Sequence, residues 1–178
     1  AVPIGDYGFL SDGEVTALLD AGADINDRAD VHELGVIGWT TFFSGGEIPH
    51  GVLSLLLERG ARHHIFSALA LGDPEVLRTV VEENPSALDD RMSRLEHRQT
   101  PLHFAITRGR LDLLELLIEL GADVEAIDGN GQTPLEHAML RGDDAAVSRL
   151  LAAGARQPQA APAAAAQKLD ARFGASVR

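Results

Sequence analysis

The sequence predicts an all-α solenoid, a row of short two-helix units with turns projecting between them. Three observations carry this. Near-copies of one stretch, TPLHFAITRGRLDLLELLIELGA and TPLEHAMLRGDDAAVSRLLAAGA, open at Thr100 and Thr133, 33 residues apart, and such an offset is a repeat period. Gly109 and Gly121 cut the first copy into two helix-length pieces. The second piece is apolar around most of its circumference, so it needs neighbours on both sides, as stacked units supply.

Each part of the copy starting at Thr100 has a local reason. The Thr100 hydroxyl can cap a helix, and Pro101 suits the first helical position, where its missing N–H costs nothing. Gly109 ends that helix. Leu111 to Leu120 forms a second one, stopped by Gly121, the residue that best tolerates the left-handed conformation past a helix end. In this second helix Asp112, Glu115 and Glu119 make one narrow polar stripe, while Leu113, Leu114, Leu116, Leu117, Ile118 and Leu120 cover the rest. Val124 to Gln132 carries Asp128-Gly129 and Asn130-Gly131, residues suited to a tight projecting turn. Residues 100–132 thus resemble an ankyrin repeat, with T-P-L-H-x-A, a glycine between two helices, a leucine pair and G-A-D. The resemblance implies an ankyrin-repeat solenoid of four to five units with short β-hairpin fingers.

Taken in order, residues 1–37 read as a degenerate N-terminal repeat and finger. Pro3, Gly5 and Gly8 argue against a long first helix over Ala1 to Leu10, leaving a truncated repeat or a loop. Val15 to Asn26 matches the second half of the unit, with Asp12 able to cap it. Ile25 to Thr41 reads as an extended connector, with Val31, Ile37 and Trp39 alternating around glycines, and predicts a hairpin finger. Residues 38–62 form the next repeat. Thr40-Thr41-Phe42-Phe43 stand in place of T-P-L-H, and Gly45, Gly46 and Pro49 predict a short or frayed first helix. Its second half, Val52 to Arg59, is regular, with Arg62 where the family has Asp.

Residues 63–99 form a repeat with an extended finger. Gly72 stands for Gly109, Ala68 for Ala105, and Asn84-Pro85 replaces the Gly-Ala ending. The distance from Gly72 to Gly109 is 37 residues, so four additional residues fall within Ser86 to Gln99 and lengthen that finger. Residues 100–132 and 133–156 are the two clearest repeats. The helix after Asp143 is thinner in large apolar residues, as suits a terminal cap. Residues 157–178 begin as a Pro/Ala-rich linker, followed by a short helical stretch from Gln167 to Phe173 within a tail expected to be disordered.

Composition narrows the function classes. Of 178 residues, 45% are hydrophobic and only 4% aromatic, so the core is built from Leu, Ala and Val. The formal net charge of −12 opposes general binding to nucleic acid or an anionic membrane and favours a basic partner. Cysteine is absent, which rules out disulfides and thiolate metal sites and is compatible with a cytoplasmic setting. No apolar run reaches the ~18 residues of a membrane span, and no signal peptide is visible.

No nucleophile elbow, P-loop or dinucleotide fingerprint occurs, so no catalytic residues, cofactor or metal site are expected. Adjacent His63 and His64 point in different directions on a helix and lack the i, i+4 spacing of a zinc pair. The resemblance gives His103 a structural role, bonding to backbone or Thr groups and tying neighbouring turns. Thr133 and Glu136 form a capping box, and His137, outside the motif, is expected at a surface or interface.

The resemblance points instead to protein binding through the concave face, formed by the exposed ends of first helices and the finger tips. The helix-end candidates are Thr107, Arg108, Leu140 and Arg141, with Arg108 and Arg141 in register about 10 Å apart. The finger candidates are Arg94, His97, Arg98, Asp128, Asn130 and Gln132, arginine being a preferred interface anchor. The expected role is a non-enzymatic, monomeric protein-binding module. Two alternatives remain open: a targeting or regulatory domain of a larger enzyme, or an acidic inhibitor or immunity protein of a basic toxin or nuclease.

Overall fold

The computed structural model describes residues 12–28, 32–42 and 50–158. The expectations for Ala1 to Leu10, for most of the tail from Gln157 onward and for the stretch between Phe42 and His50 therefore lie outside the described residues. Asp12 opens the first helix, and its side chain is likewise outside them.

The described residues are helical, with turns between helices and no strand. In order, the helices are α1 (Asp12–Asp20), α2 (Gly35–Phe42), α3 (His50–Glu58), α4 (Ile65–Leu71), α5 (Pro74–Glu83), α6 (Pro101–Thr107), α7 (Leu111–Glu119), α8 (Pro134–Arg141) and α9 (Asp144–Ala152). They form two layers. First helices pack on first helices, α2 on α4, α4 on α6 and α6 on α8; second helices α1 and α3, and α7 and α9, pack likewise. Every pair of described helices in extensive contact belongs to one unit or to adjoining units.

The caps follow the local sequence. The Thr100 hydroxyl opens α6 by accepting the His103 backbone N–H. Thr133 and Glu136 make the reciprocal capping box of α8, with Glu136 accepting the Thr133 N–H at 2.8 Å. His64 and Ser67 make a second capping box at α4, where no Thr-Pro exists. Asp73 and Asp143 cap α5 and α9 through their carboxylates. Gly109 and Gly121 have φ of 65° and 95°, the left-handed region expected where the chain leaves a helix.

The main core runs through the units from α4 onward and holds Ile65, Phe66, Leu102, Ile106, Leu117 and Leu135, with Leu34 reaching in from the preceding unit. Each such side chain contributes about 1.5–3 kcal/mol by leaving water. A smaller cluster of Ile37, Leu53, Leu56 and Ala61 belongs to the units before it.

Two expectations are corrected. The connector read as extended up to Thr41 contains α2, which starts five residues before Thr40. The alternation of Val31, Ile37 and Trp39 masked a stronger period: Leu34, Ile37, Gly38 and Thr41 are all buried and share one helical face. The hydroxyls of Thr40 and Thr41 donate to the Val36 and Ile37 carbonyls one turn back, which satisfies these buried groups within the helix. The fingers, in turn, are closed by turn hydrogen bonds and not by strand pairing among the described residues. Met92 N–H reaches Gln99 C=O at 3.0 Å in one, and Asp128 N–H reaches Gln132 C=O at 2.9 Å in the next. The segment with the four additional residues holds a 3-10 turn at Pro85–Asp89.

Candidate functional site

The candidate residues fall into two groups, one on the fingers and one at the ends of α6 and α8. In the first finger, Arg94, His97 and Arg98 occupy a turn over residues 94–98 and are exposed. His97 and Arg98 both have left-handed backbones, φ 55° and 49°, which side chains rarely adopt. The turn holds them there: His97 N–H reaches Arg94 C=O, and Arg98 N–H reaches Ser93 C=O at 3.0 Å. Glu96 anchors the inner side, pairing with His32, just before α2, and with the Ser93 hydroxyl.

The second finger is organised by Asp128. Its carboxylate accepts the backbone N–H groups of Asn130 at 2.8 Å and Gln132 at 3.0 Å, and the Asn130 side-chain amide at 3.1 Å. Burial pushes its pKa up, but the Gln132 and Asn130 amides, Asn130's side chain and nearby His103 outweigh this and hold it below the ordinary value. Only 6% exposed, Asp128 shapes the turn from inside, whereas Asn130 is at the surface and Gln132 half-buried. The two fingers are joined. Gly129 N–H donates to His97 C=O at 2.6 Å, and the Arg91 guanidinium donates to Ile127 C=O.

At the helix ends, Leu140 is 71% exposed and its neighbour Met139 52%. The Arg141 guanidinium reaches back to the preceding unit and donates to Thr107 C=O at 3.1 Å. The Thr107 hydroxyl meets His137 Nε2 at 3.0 Å, so His137 links units. Arg108 is exposed and lies over the Phe104 ring, 5.1 Å from its centre, in a cation–π contact. Arg110 makes a second backward tie: it pairs with Asp112 and donates to Gly72 C=O at 2.9 Å.

Behind both groups stands His103, fully buried. Its Nε2 lies 2.9 Å from Gln132 C=O, which only accepts, so Nε2 carries the proton and Nδ1 accepts from the Thr100 hydroxyl at 2.7 Å. This is the tie between turns that the resemblance implies. Burial, with some repulsion from His137 and Arg91, holds its pKa below the ordinary value against the raising effects of Gln132 and Asp128, consistent with a neutral ring.

Sequence reasoning missed several members of this surface. Leu95 and Ile127, 62% and 52% exposed, sit on the two joined fingers, and Arg91 fastens one to the other. Leu95 was legible as an apolar residue amid a charged finger; the Arg91 tie has no signal in the sequence. Among the described residues no group of His, Asp and Glu side chains is arranged to hold a metal ion, and no helix is long and apolar enough to cross a membrane.

This geometry agrees with what the chain is similar to. A probable E3 ubiquitin-protein ligase of Oryza sativa subsp. japonica is 36% identical over 93 residues, 52% of this chain and 20% of that protein. The ARF GTPase-activating protein Git of Drosophila melanogaster is 48% identical over 52 residues, 29% of this chain and 7% of that protein. Alpha-latrocrustotoxin-Lt1a of Latrodectus tredecimguttatus is 26% identical over 132 residues, 70% of this chain and 9% of that protein. The chain thus spans about a fifth or less of the length of these relatives. The family model for ankyrin repeats in three copies matches residues 63–160, more than half of the chain. Ankyrin repeats are interaction modules that bind other proteins, and the match covers the units where capped helix pairs and left-handed glycines recur and where the buried His103 tie lies. The chain belongs to the ankyrin-repeat family.

Proposed function

We propose that this chain recognises a partner protein through the joined fingers and the ends of α6 and α8. Arg94, His97, Arg98 and Asn130 offer contacts from the fingers, with Gln132 at their base. Thr107, Arg108, Leu140 and Arg141 offer them from the helix ends, and Asp128 fixes the shape of the second finger. The observation that carries this reading is Leu140: 71% exposed on an ordered helix, beside an arginine tied back to the preceding unit. With exposed Met139 beside it, Leu140 makes an apolar patch next to a positioned guanidinium, and methionine and arginine are both enriched at interfaces.

Capture from a lysate of the source cell on the immobilised full chain tests it. Comparison of the unaltered protein with Arg108→Glu/Arg141→Glu and with Leu140→Asp should show loss of the same specific partners. Equal capture by all three discards the helix-end surface.

A second reading draws on the relatives, in which the matched stretch is a small part of larger proteins named as a ligase and a GTPase-activating protein. Here the chain is the targeting region of a larger enzyme. An antibody raised against it should then detect a protein well above 18.9 kDa in the source cell. A single band at that mass removes the idea.

A further inference from the structure

The chain as a whole is strongly acidic, yet the tip of the first finger, residues 91–99, carries three arginines against one glutamate, with Asp89 and Asp90 preceding it at the base. Glu96 is turned inward onto His32 and Ser93, so it does little to neutralise the outer side. Arg91 is fixed on the Ile127 carbonyl. Arg94 and Arg98 are exposed and make no side-chain ion pair among the described residues, whereas Arg59, Arg78, Arg110 and Arg149 each have a carboxylate partner.

The acids of the adjoining finger are also occupied. Asp128 is spent on its own turn, Asp123 accepts the Glu125 N–H at 2.9 Å, and Glu125 accepts the Arg156 N–H at 2.8 Å. Leu95 and Ile127 stand exposed on these two joined fingers, next to the cations. An unpaired guanidinium fork matches a carboxylate in a way water does not, and a flanking apolar side chain gives the partner something to bury.

We propose that the joined fingers bind an acidic peptide segment of the partner that also carries large apolar residues, its carboxylates on Arg94 and Arg98 and its apolar side chains on Leu95 and Ile127. This deepens the interaction reading and rests on it. It also reverses what the net charge suggests, since a basic partner would be repelled by this finger while being attracted to the rest of the molecule. The like charge elsewhere keeps a wholly acidic partner at a distance, so a short acidic segment is drawn to these exposed arginines and not to the acidic surface around them.

The test uses the full chain and two fluorescein-labelled pools of twelve-residue peptides, one randomised over Asp, Glu, Leu, Ile and Phe, the other with Lys and Arg replacing the acids. Fluorescence anisotropy should show binding of the acidic pool that weakens as salt is raised. Affinity should fall about tenfold in Arg94→Glu/Arg98→Glu and in Leu95→Ser. Thermal melting of each variant controls for folding; the three side chains are exposed, so the melts should coincide with that of the unaltered protein. The proposal is overturned by no binding of the acidic pool up to about 1 mM, by equal or tighter binding of the basic pool, or by acidic-pool binding indifferent to the arginine changes. A lysate partner lost on Arg108→Glu/Arg141→Glu but retained on Arg94→Glu/Arg98→Glu would leave the interaction reading standing and remove this one.

Discussion

His103 donates its Nε2 proton to the backbone carbonyl of Gln132, 2.9 Å away, and thereby fastens the first turn of α6 to the residue just before the cap of α8. One fully buried imidazole fixes where one unit ends and the next begins, and it sits directly behind the second finger.

Replacing it should show this. His103→Ala removes both ring hydrogen bonds, leaves the Gln132 carbonyl with the Asp128 N–H alone and opens a cavity beside the His137 ring. A loss of about 2–4 kcal/mol is expected in urea unfolding followed by far-UV circular dichroism.

The same group makes stability depend on pH. Burial is the first cause lowering the pKa of His103, His63 and His137 in the folded protein. As pH falls through about 6.5 the unfolded chain takes up protons on these rings while the folded one does not. Their contribution is therefore complete above that pH and declines below it. The melting temperature should drop between about pH 7.5 and pH 5.5, and His137→Gln should shallow the slope. A flat profile over that window contradicts the burial of these rings.

The contact between fingers is tight enough to exclude a methyl group. A Cβ at Gly129 would lie 2.6 Å from the His97 carbonyl oxygen, and that oxygen belongs to backbone already held in a left-handed turn. Gly129→Ala should cost about 1–3 kcal/mol. Hydrogen exchange should rise over Ser93 to Gln99, the segment it pushes away, more than in the helices.

Asp128 separates shaping from recognition. Asp128→Ala leaves the Asn130 and Gln132 amides without their acceptor and should cost about 1–3 kcal/mol, while Asp128→Asn keeps an acceptor oxygen and should cost less. Its folded carboxyl is held below the ordinary value, so its contribution survives mild acid and disappears only as pH falls through that lowered value. Negligible losses for both the Ala and the Asn variant would mean the carboxylate does not organise the turn.

The units from His63 onward were legible because their signals are local. Thr-Pro starts, mid-unit glycines and leucine stripes each act within one helix, so reading them requires no knowledge of the neighbours. The unit before them was misread because α2 lacks such signals. Its start at Gly35 and the helical spacing of Leu34, Ile37, Gly38 and Thr41 gain meaning only once α4 packs against them. The candidate surface divides the same way. Exposure of Arg94 and Leu140 follows from position in the repeat, whereas the inward turn of the Asp128 carboxylate and the Arg91 tie to Ile127 depend on how neighbouring loops lie together.

Extensive helix contacts among the described residues reach only to the adjoining unit, so among these helices those at one extremity of the row do not pack on those at the other. A row of this kind unravels from its extremities inward: among the described helices α8 packs on α6 alone of the first helices, while α6 is covered by both α4 and α8. A molecule laid across several fingers would act as a brace, and its grip would register as slower fraying of the outermost helices while the shape of the row stayed the same.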